Sequence, residues 1–365
     1  MSKKSFLPLM AAVFVCAVVP AWSQSELPEG NGKQAVQTYC VQCHDLGSVT
    51  RAGYGQEGWR NNLNMMINVG SALPKDQIEL VTQYLAKSFP EKPQPAAVVI
   101  PGSVKISIKE WVAPTPGSRP HDPLATADGA IWYTGNFNAR IGKLDPKTGQ
   151  VTEYPMPDAA ARDPHTPIFD QKGTLWFTVQ GGNMVGRLIP QTGEVKLVTS
   201  PTPRSRPYGM VVNSKGIPFF VEFGSNKIAS IDPNTMEIRE YVLPNADTRP
   251  RRVAITSDDV LWYSDYSRGY LGRFDPATGK VSEWPSPGGP RSQPYAITTI
   301  KDVLWYVEAG TQPNTLVRFD PKTEKFQTWT IPSGGGVVRN MDVTRDGNLA
   351  LACSGVNRIA LVEVK

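Results

Sequence analysis

The chain has 365 residues and a formal net charge of +5, with 38 Lys and Arg against 33 Asp and Glu, and it carries 32 Gly and 33 Pro. That length accommodates two domains. The mild charge gives no electrostatic case for nucleic acid, and the turn formers point to many short elements.

The chain opens "MSKKSFLPLMAAVFVCAVVPAWSQ", in which Lys3 and Lys4 precede an apolar run and then the small-residue stretch around Ser23. This pattern predicts a secretory signal peptide over residues 1–23. No later stretch has the length of a membrane-spanning helix, so the expected location is the periplasm or otherwise outside the cytoplasm. Without Lys3 and Lys4 the charge falls to +3, and the cysteines that remain are Cys40, Cys43 and Cys353. An exported chain with an odd cysteine count and no disulfide ladder leaves Cys40 and Cys43 another role.

That role is read from "CVQCH" at 40–44. C-x-x-C-H is the spacing of covalent c-type haem attachment. Cys40 and Cys43 take the two porphyrin vinyl groups, and His44 stands beneath the iron as proximal axial ligand. The flanks "NGKQAVQTYC" and "LPKDQIELVTQYLAKSFP" have helical spacing, with Ile78, Val81 and Leu85 on one face. Residues 24–90 are therefore expected to form a small all-α domain with one haem. The order Trp59, Met66, Gly70, Leu73 before the last helix resembles small class I cytochrome c domains. The resemblance implies that Met66 is the distal iron ligand, with its neighbour Met65 packing in the core. A His/Met pair closes both axial positions and suits electron transfer.

Residues 91–103 are proline-loaded and predict a stiff linker. Beyond it the chain repeats. Pro120, Pro164, Pro207, Pro250 and Pro294 recur every 43 to 44 residues, each followed by strand-forming stretches such as "AIWYTG", "ARIGKLDP" and "VTEYPMP". Four short strands at this period predict the blades of an all-β propeller. The sixth unit ends after three strands, and 104–114 resembles a fourth strand. We therefore expect six four-stranded blades over 104–365, with 104–114 closing the last and leaving no open edge.

The first strand of each blade lines the channel, so equivalent positions form a ring: His121, His165, Tyr208, Arg251, Tyr295 and Arg339. Asp163 precedes His165 by two, and Glu222 stands three after the position of the blade's tryptophan. These residues are the channel candidates. His121, His165 and Asp163 are suited to proton transfer or to holding a divalent metal, and a non-covalent cofactor in the channel is a further possibility. Trp132, Trp176, Trp262 and Trp305 are expected to fill the core between blades.

The repeat, with its post-proline histidines, "LWFT", "DP-x-TG" and "EYP-x-P", resembles the propeller of virginiamycin B (streptogramin B) lyases over nearly all of 104–365. The resemblance implies opening of a cyclic depsipeptide ester by elimination. It also implies roles for His121 and His165, and for Asp163 as one of the acids beside a magnesium ion. The second acid of the pattern is replaced by Val179, and the family pattern has seven blades. The leading expectation is a c-type cytochrome whose propeller binds, and oxidises, a small-molecule ligand or a redox partner protein. The alternatives are a lyase-like carbon–oxygen lyase with an appended haem module, and a non-catalytic propeller that docks a separate redox enzyme.

Overall fold

The structure, a computed structural model, describes residues 27–41, 46–68, 70–126, 128–135, 140–155, 165–180, 182–189, 192 and 194–365. The expected signal peptide lies outside the described residues.

The N-terminal part is helical: α1 (Lys33–Tyr39), α2 (Gly47–Thr50), α3 (Gln56–Asn68) and α4 (Ile78–Ser88). α4 follows the turn Lys75–Gln77, with Glu79 in its first turn and Lys87 in its last, charges that suit the helix dipole. Its apolar face buries Val81, Tyr84 and Leu85 against Trp59 and Leu63 of α3 and Val36 of α1. Burial of each such large side chain contributes roughly 1.5–3 kcal/mol. Two hydrogen bonds fix the cluster, from Trp59 Nε1 to the Phe89 carbonyl (2.9 Å) and from the Tyr84 hydroxyl to the Pro28 carbonyl (2.7 Å).

The rest is a β-propeller of six four-stranded antiparallel sheets. Blade 1 runs Pro120–Ala125, Ile131–Gly135, Arg140–Leu144, Val151–Pro155, and blades 2 to 5 repeat that order. In blade 6 the outer strand is Ile106–Val112, which pairs antiparallel with the C-terminal Arg358–Val364. The two ends of the propeller thus share one sheet.

The repeat motifs have local reasons. In the "DP-x-T" turns, Asp145, Asp275 and Asp320 accept the backbone N–H two residues on, at 2.9–3.0 Å, which fixes the reversal between the third and fourth strands. The third-strand glycine makes room for an aromatic ring of the second strand. A Cβ on Gly142 would lie 2.0 Å from the Tyr133 ring, and one on Gly272 2.0 Å from Tyr263. The second-strand tryptophans are core residues: Trp176, Trp262 and Trp305 are buried. Trp262 stacks on Trp284 of its own blade and packs on Phe319 of the next.

The helical part is fastened to the propeller at two places. On α3, the Asn61 and Asn68 side-chain amides donate to the carbonyls of Gly355 (3.1 Å) and Pro116 (2.9 Å). The linker lies along blade 5. The Gln312 amide donates to the Pro95 carbonyl (3.2 Å), and Thr328 bonds both Val98 and Ile100. Gly355, Pro116 and Gln312 all lie in connections between a second and third strand or between blades. In an antiparallel blade those connections share one face of the ring, the face at which each first strand begins.

Candidate functional site

Each first strand starts with the same irregularity. Its pairing shifts after the first residue, between Pro120 and Pro123, His165 and Ile168, Pro207 and Met210, Pro250 and Val253, Pro294 and Ile297, and Val338 and Met341. Such a bulge suspends the alternation of side chains and re-aims them. It falls on the ring positions, so two residues per blade, not one, are available to the channel.

The result is a polar network to which opposite blades contribute. Arg252 of blade 4 donates from one terminal nitrogen to Asp122 Oδ1 of blade 1 (2.8 Å) and from the other to Thr166 Oγ1 of blade 2 (2.7 Å). Asn340 of blade 6 donates to the same Asp122 oxygen at 2.6 Å. His121 Nδ1 lies 3.2 Å from it. Tyr208 of blade 3 and Tyr295 of blade 5 join hydroxyl to hydroxyl. The Arg251 guanidinium sits 3.8 Å from the Tyr295 ring centroid, 4.3 Å from Tyr266 and 4.6 Å from Phe223, an aromatic box that offsets the cost of burying a cation.

Close approach makes this possible. A Cβ on Gly209 would lie 2.8 Å from Arg252 Cα, so a glycine after Tyr208 lets the first strands of blades 3 and 4 meet.

The electrostatics follow from burial. His121 is 2 % exposed, and its pKa is lowered to about 3, first by burial and then by Arg252 and Arg339, with Asp122 opposing. The imidazole is therefore neutral, with Nδ1 facing Asp122. Burial pushes Tyr208 up to about 12. Burial acts on Tyr295 in the same direction, but Arg251, Arg339 and Arg252 outweigh it and hold that hydroxyl below its usual value.

Of the residues predicted from sequence, the structure brings together His121, Tyr208, Arg251, Tyr295 and Arg339. Glu222 is elsewhere: its carboxylate accepts from Ser200 and from Ser225 (2.9 Å) at its own blade's connections, and burial raises it. Asp265 and Glu308 likewise brace backbone, Asp265 at the Arg249 amide (3.0 Å) and Glu308 at the Gly288 amide (2.6 Å). Asp163 and the His165 side chain lie outside the described residues. Among the described residues no group of three or more His, Cys, Asp and Glu is placed to hold a metal ion. Asp122, Thr166, Arg252 and Asn340 were missed because strict alternation turns them away from the channel. The signal was their place immediately after the ring residue in every blade.

A second site lies in the helical part. Cys40, Val49, Trp59, Leu63, Met66 and Leu73 line one cavity of about 220 Å³, and burial pushes the Cys40 thiol up. Met65 is buried beside it on α3. Cys43 and His44 lie outside the described residues. The walls are mostly apolar, and the Cys40 thiol and the Met66 thioether reach one space.

A closed ring of six four-stranded blades around a central channel defines a β-propeller. The virginiamycin B lyase family model matches residues 102–306, and the chain belongs to that family. Among solved structures, the virginiamycin B lyase of Staphylococcus aureus is 26% identical over 72% of this chain and 88% of its own, with a TM-score of 0.54. A catalytically inactive variant of that enzyme with quinupristin matches at the same identity and TM-score, over 71% and 88%. A streptogramin B lyase is 21% identical over 71% and 98%, with a TM-score of 0.50, a likeness of fold. No curated protein sequence matches the chain.

Proposed function

We propose that the propeller is a carbon–oxygen lyase of cyclic esters and that the N-terminal module carries one covalent haem. The observation that carries the first part is the His121–Asp122 pair within a lyase-family propeller. Elimination needs a neutral base to take a proton from the carbon adjacent to the one that bears the ester oxygen. The C–H and C–O bonds break, a C=C bond forms, and the carboxylate leaves. His121 is neutral, and with Nδ1 turned to Asp122 its Nε2 is the acceptor. Protonation is opposed by burial and by Arg252 and Arg339, so a substrate carboxylate forming beside those arginines strengthens the base as the bond breaks.

The test is incubation of a cyclic depsipeptide or lactone with the purified protein, followed by mass spectrometry. Elimination gives a ring-opened product of unchanged mass, whereas hydrolysis adds one water. Loss of the unchanged-mass product in His121→Ala supports the assignment. An unaltered rate in that variant would return His121 to a purely structural role.

A second reading, electron transfer, is favoured by Cys40 and Met66 sharing one apolar cavity. Haem, when bound, supplies one-electron transfer. The chain's own part is to tether it through Cys40 and Cys43, ligate it through His44 and Met66, and keep water from it with Trp59, Leu63 and Leu73. On this reading the protein is exported, and a redox partner protein takes or delivers the electron. A denatured mass carrying one haem, after expression with a haem-maturation system, tests it. A mass without haem would overturn it.

A further inference from the structure

The face of the ring that carries the helical part holds a cavity of about 410 Å³ between the linker and blades 3 to 5, within the range of small-ligand sites. It centres on blade 4, opposite blade 1 in the ring, and neither His121 nor Asp122 is among its lining residues. Its walls are Phe223 and Tyr266, with Arg249, Arg291 and Gln293 around them and Pro95 of the linker closing one side. The family match begins at residue 102, so the wall formed by Pro95 comes from sequence outside it. The cavity belongs to this two-module chain rather than to the propeller alone.

Its chemistry is one-sided. The charged residues lining it are Arg249 and Arg291, and neither Asp nor Glu is among the lining residues. Arg249 is held ready, its guanidinium donating to the carbonyls of Ala246 (2.8 Å) and Thr248 (2.7 Å). The Arg251 guanidinium lies over both the Phe223 and Tyr266 rings, and Arg206 lies over Phe223 at 5.2 Å. Two aromatic walls favour a planar ring between them, and arginine favours a carboxylate by paired hydrogen bonds.

We infer that this cavity is a binding site for a small aromatic carboxylate, its ring against Phe223 and Tyr266 and its carboxylate toward Arg249 and Arg291. The linker then doubles as a wall of the site, so occupancy is felt by the segment that joins the two modules.

Titration of the full-length protein with benzoate and, separately, with its neutral isostere benzamide, followed by calorimetry at low salt, tests this. Benzoate binds, benzamide binds at least about tenfold more weakly, and added salt weakens benzoate. Arg291→Gln, at an exposed position, weakens benzoate by about tenfold. Ser267→Trp, also exposed, fills the cavity and abolishes binding. No heat with benzoate, equal binding of the two compounds, or wild-type binding by both variants would overturn the inference. Ring opening of an ester is measured independently, so failure there leaves this result readable, and the reverse.

Discussion

Arg252 of blade 4 reaches Asp122 of blade 1, its opposite in a ring of six, with 2.8 Å between Nη2 and Oδ1. The contact ties together two strands that are far apart in sequence and on facing sides of the channel. Because Thr166 and Asn340 join the same pair, the channel is cross-braced by hydrogen bonds from four blades at one level.

Breaking that brace from one side leaves a buried charge. Arg252→Met is expected to lower the unfolding free energy by about 3–5 kcal/mol, and Asp122→Leu in the same background to restore a substantial part of it. A double-mutant cycle by urea unfolding measures the coupling. Additive effects would show that the pair contributes nothing beyond its separate residues.

His121 makes stability depend on pH with a definite sign. Its folded pKa is about 3 against an ordinary 6.5, so below 6.5 the unfolded chain takes the proton first. Stability present above pH 6.5 is lost as pH falls toward 3, by up to about 3 kcal/mol between 6.5 and 4. His121→Gln removes that dependence. Urea midpoints of both proteins at pH 7 and pH 4 check it, and parallel losses would mean that the folded state accepts the proton.

Gly209→Ala places a Cβ 2.8 Å from the Arg252 backbone. The first strands of blades 3 and 4 must separate, at a cost of roughly 1–3 kcal/mol. The thermal midpoint of the variant falls accordingly. An unchanged midpoint would show that the two strands yield freely.

Thr328→Val removes hydrogen bonds to Val98 and Ile100 at a buried position. Each such bond contributes about 1 kcal/mol. Amide exchange over residues 94–100 speeds up, while the inner strands of blade 5 keep their protection. Equal protection in both proteins would show that the linker is held by other contacts.

In haem-loaded protein, Met66→Ala keeps the covalent attachment but lowers the reduction potential, on the order of 0.1 V within the roughly 0.8 V that axial ligation spans. A potentiometric titration reads it. An unaltered potential would assign distal ligation to another residue.

The sequence by itself determined the propeller. The 43-to-44-residue spacing of Pro120 through Pro294, the turn aspartates such as Asp145 and the packing glycines such as Gly142 are local requirements, repeated because each blade has the same shape, so counting them yields six blades. It also placed one ring of channel residues, since the first strand of every blade begins at the same step of the repeat. Only the tertiary structure decided which neighbours join that ring. A bulge at each ring position cancels the alternation that would have turned Asp122, Arg252 and Asn340 away, and which blades face each other depends on closure rather than on any stretch of sequence. Glu222 shows the converse: its place three after the blade's tryptophan position looked like a channel position, but Ser200 and Ser225 hold it at its own blade's connections. The cavity beside Pro95 was likewise beyond reach, because its walls come from three blades and a linker that meet only once the ring has closed.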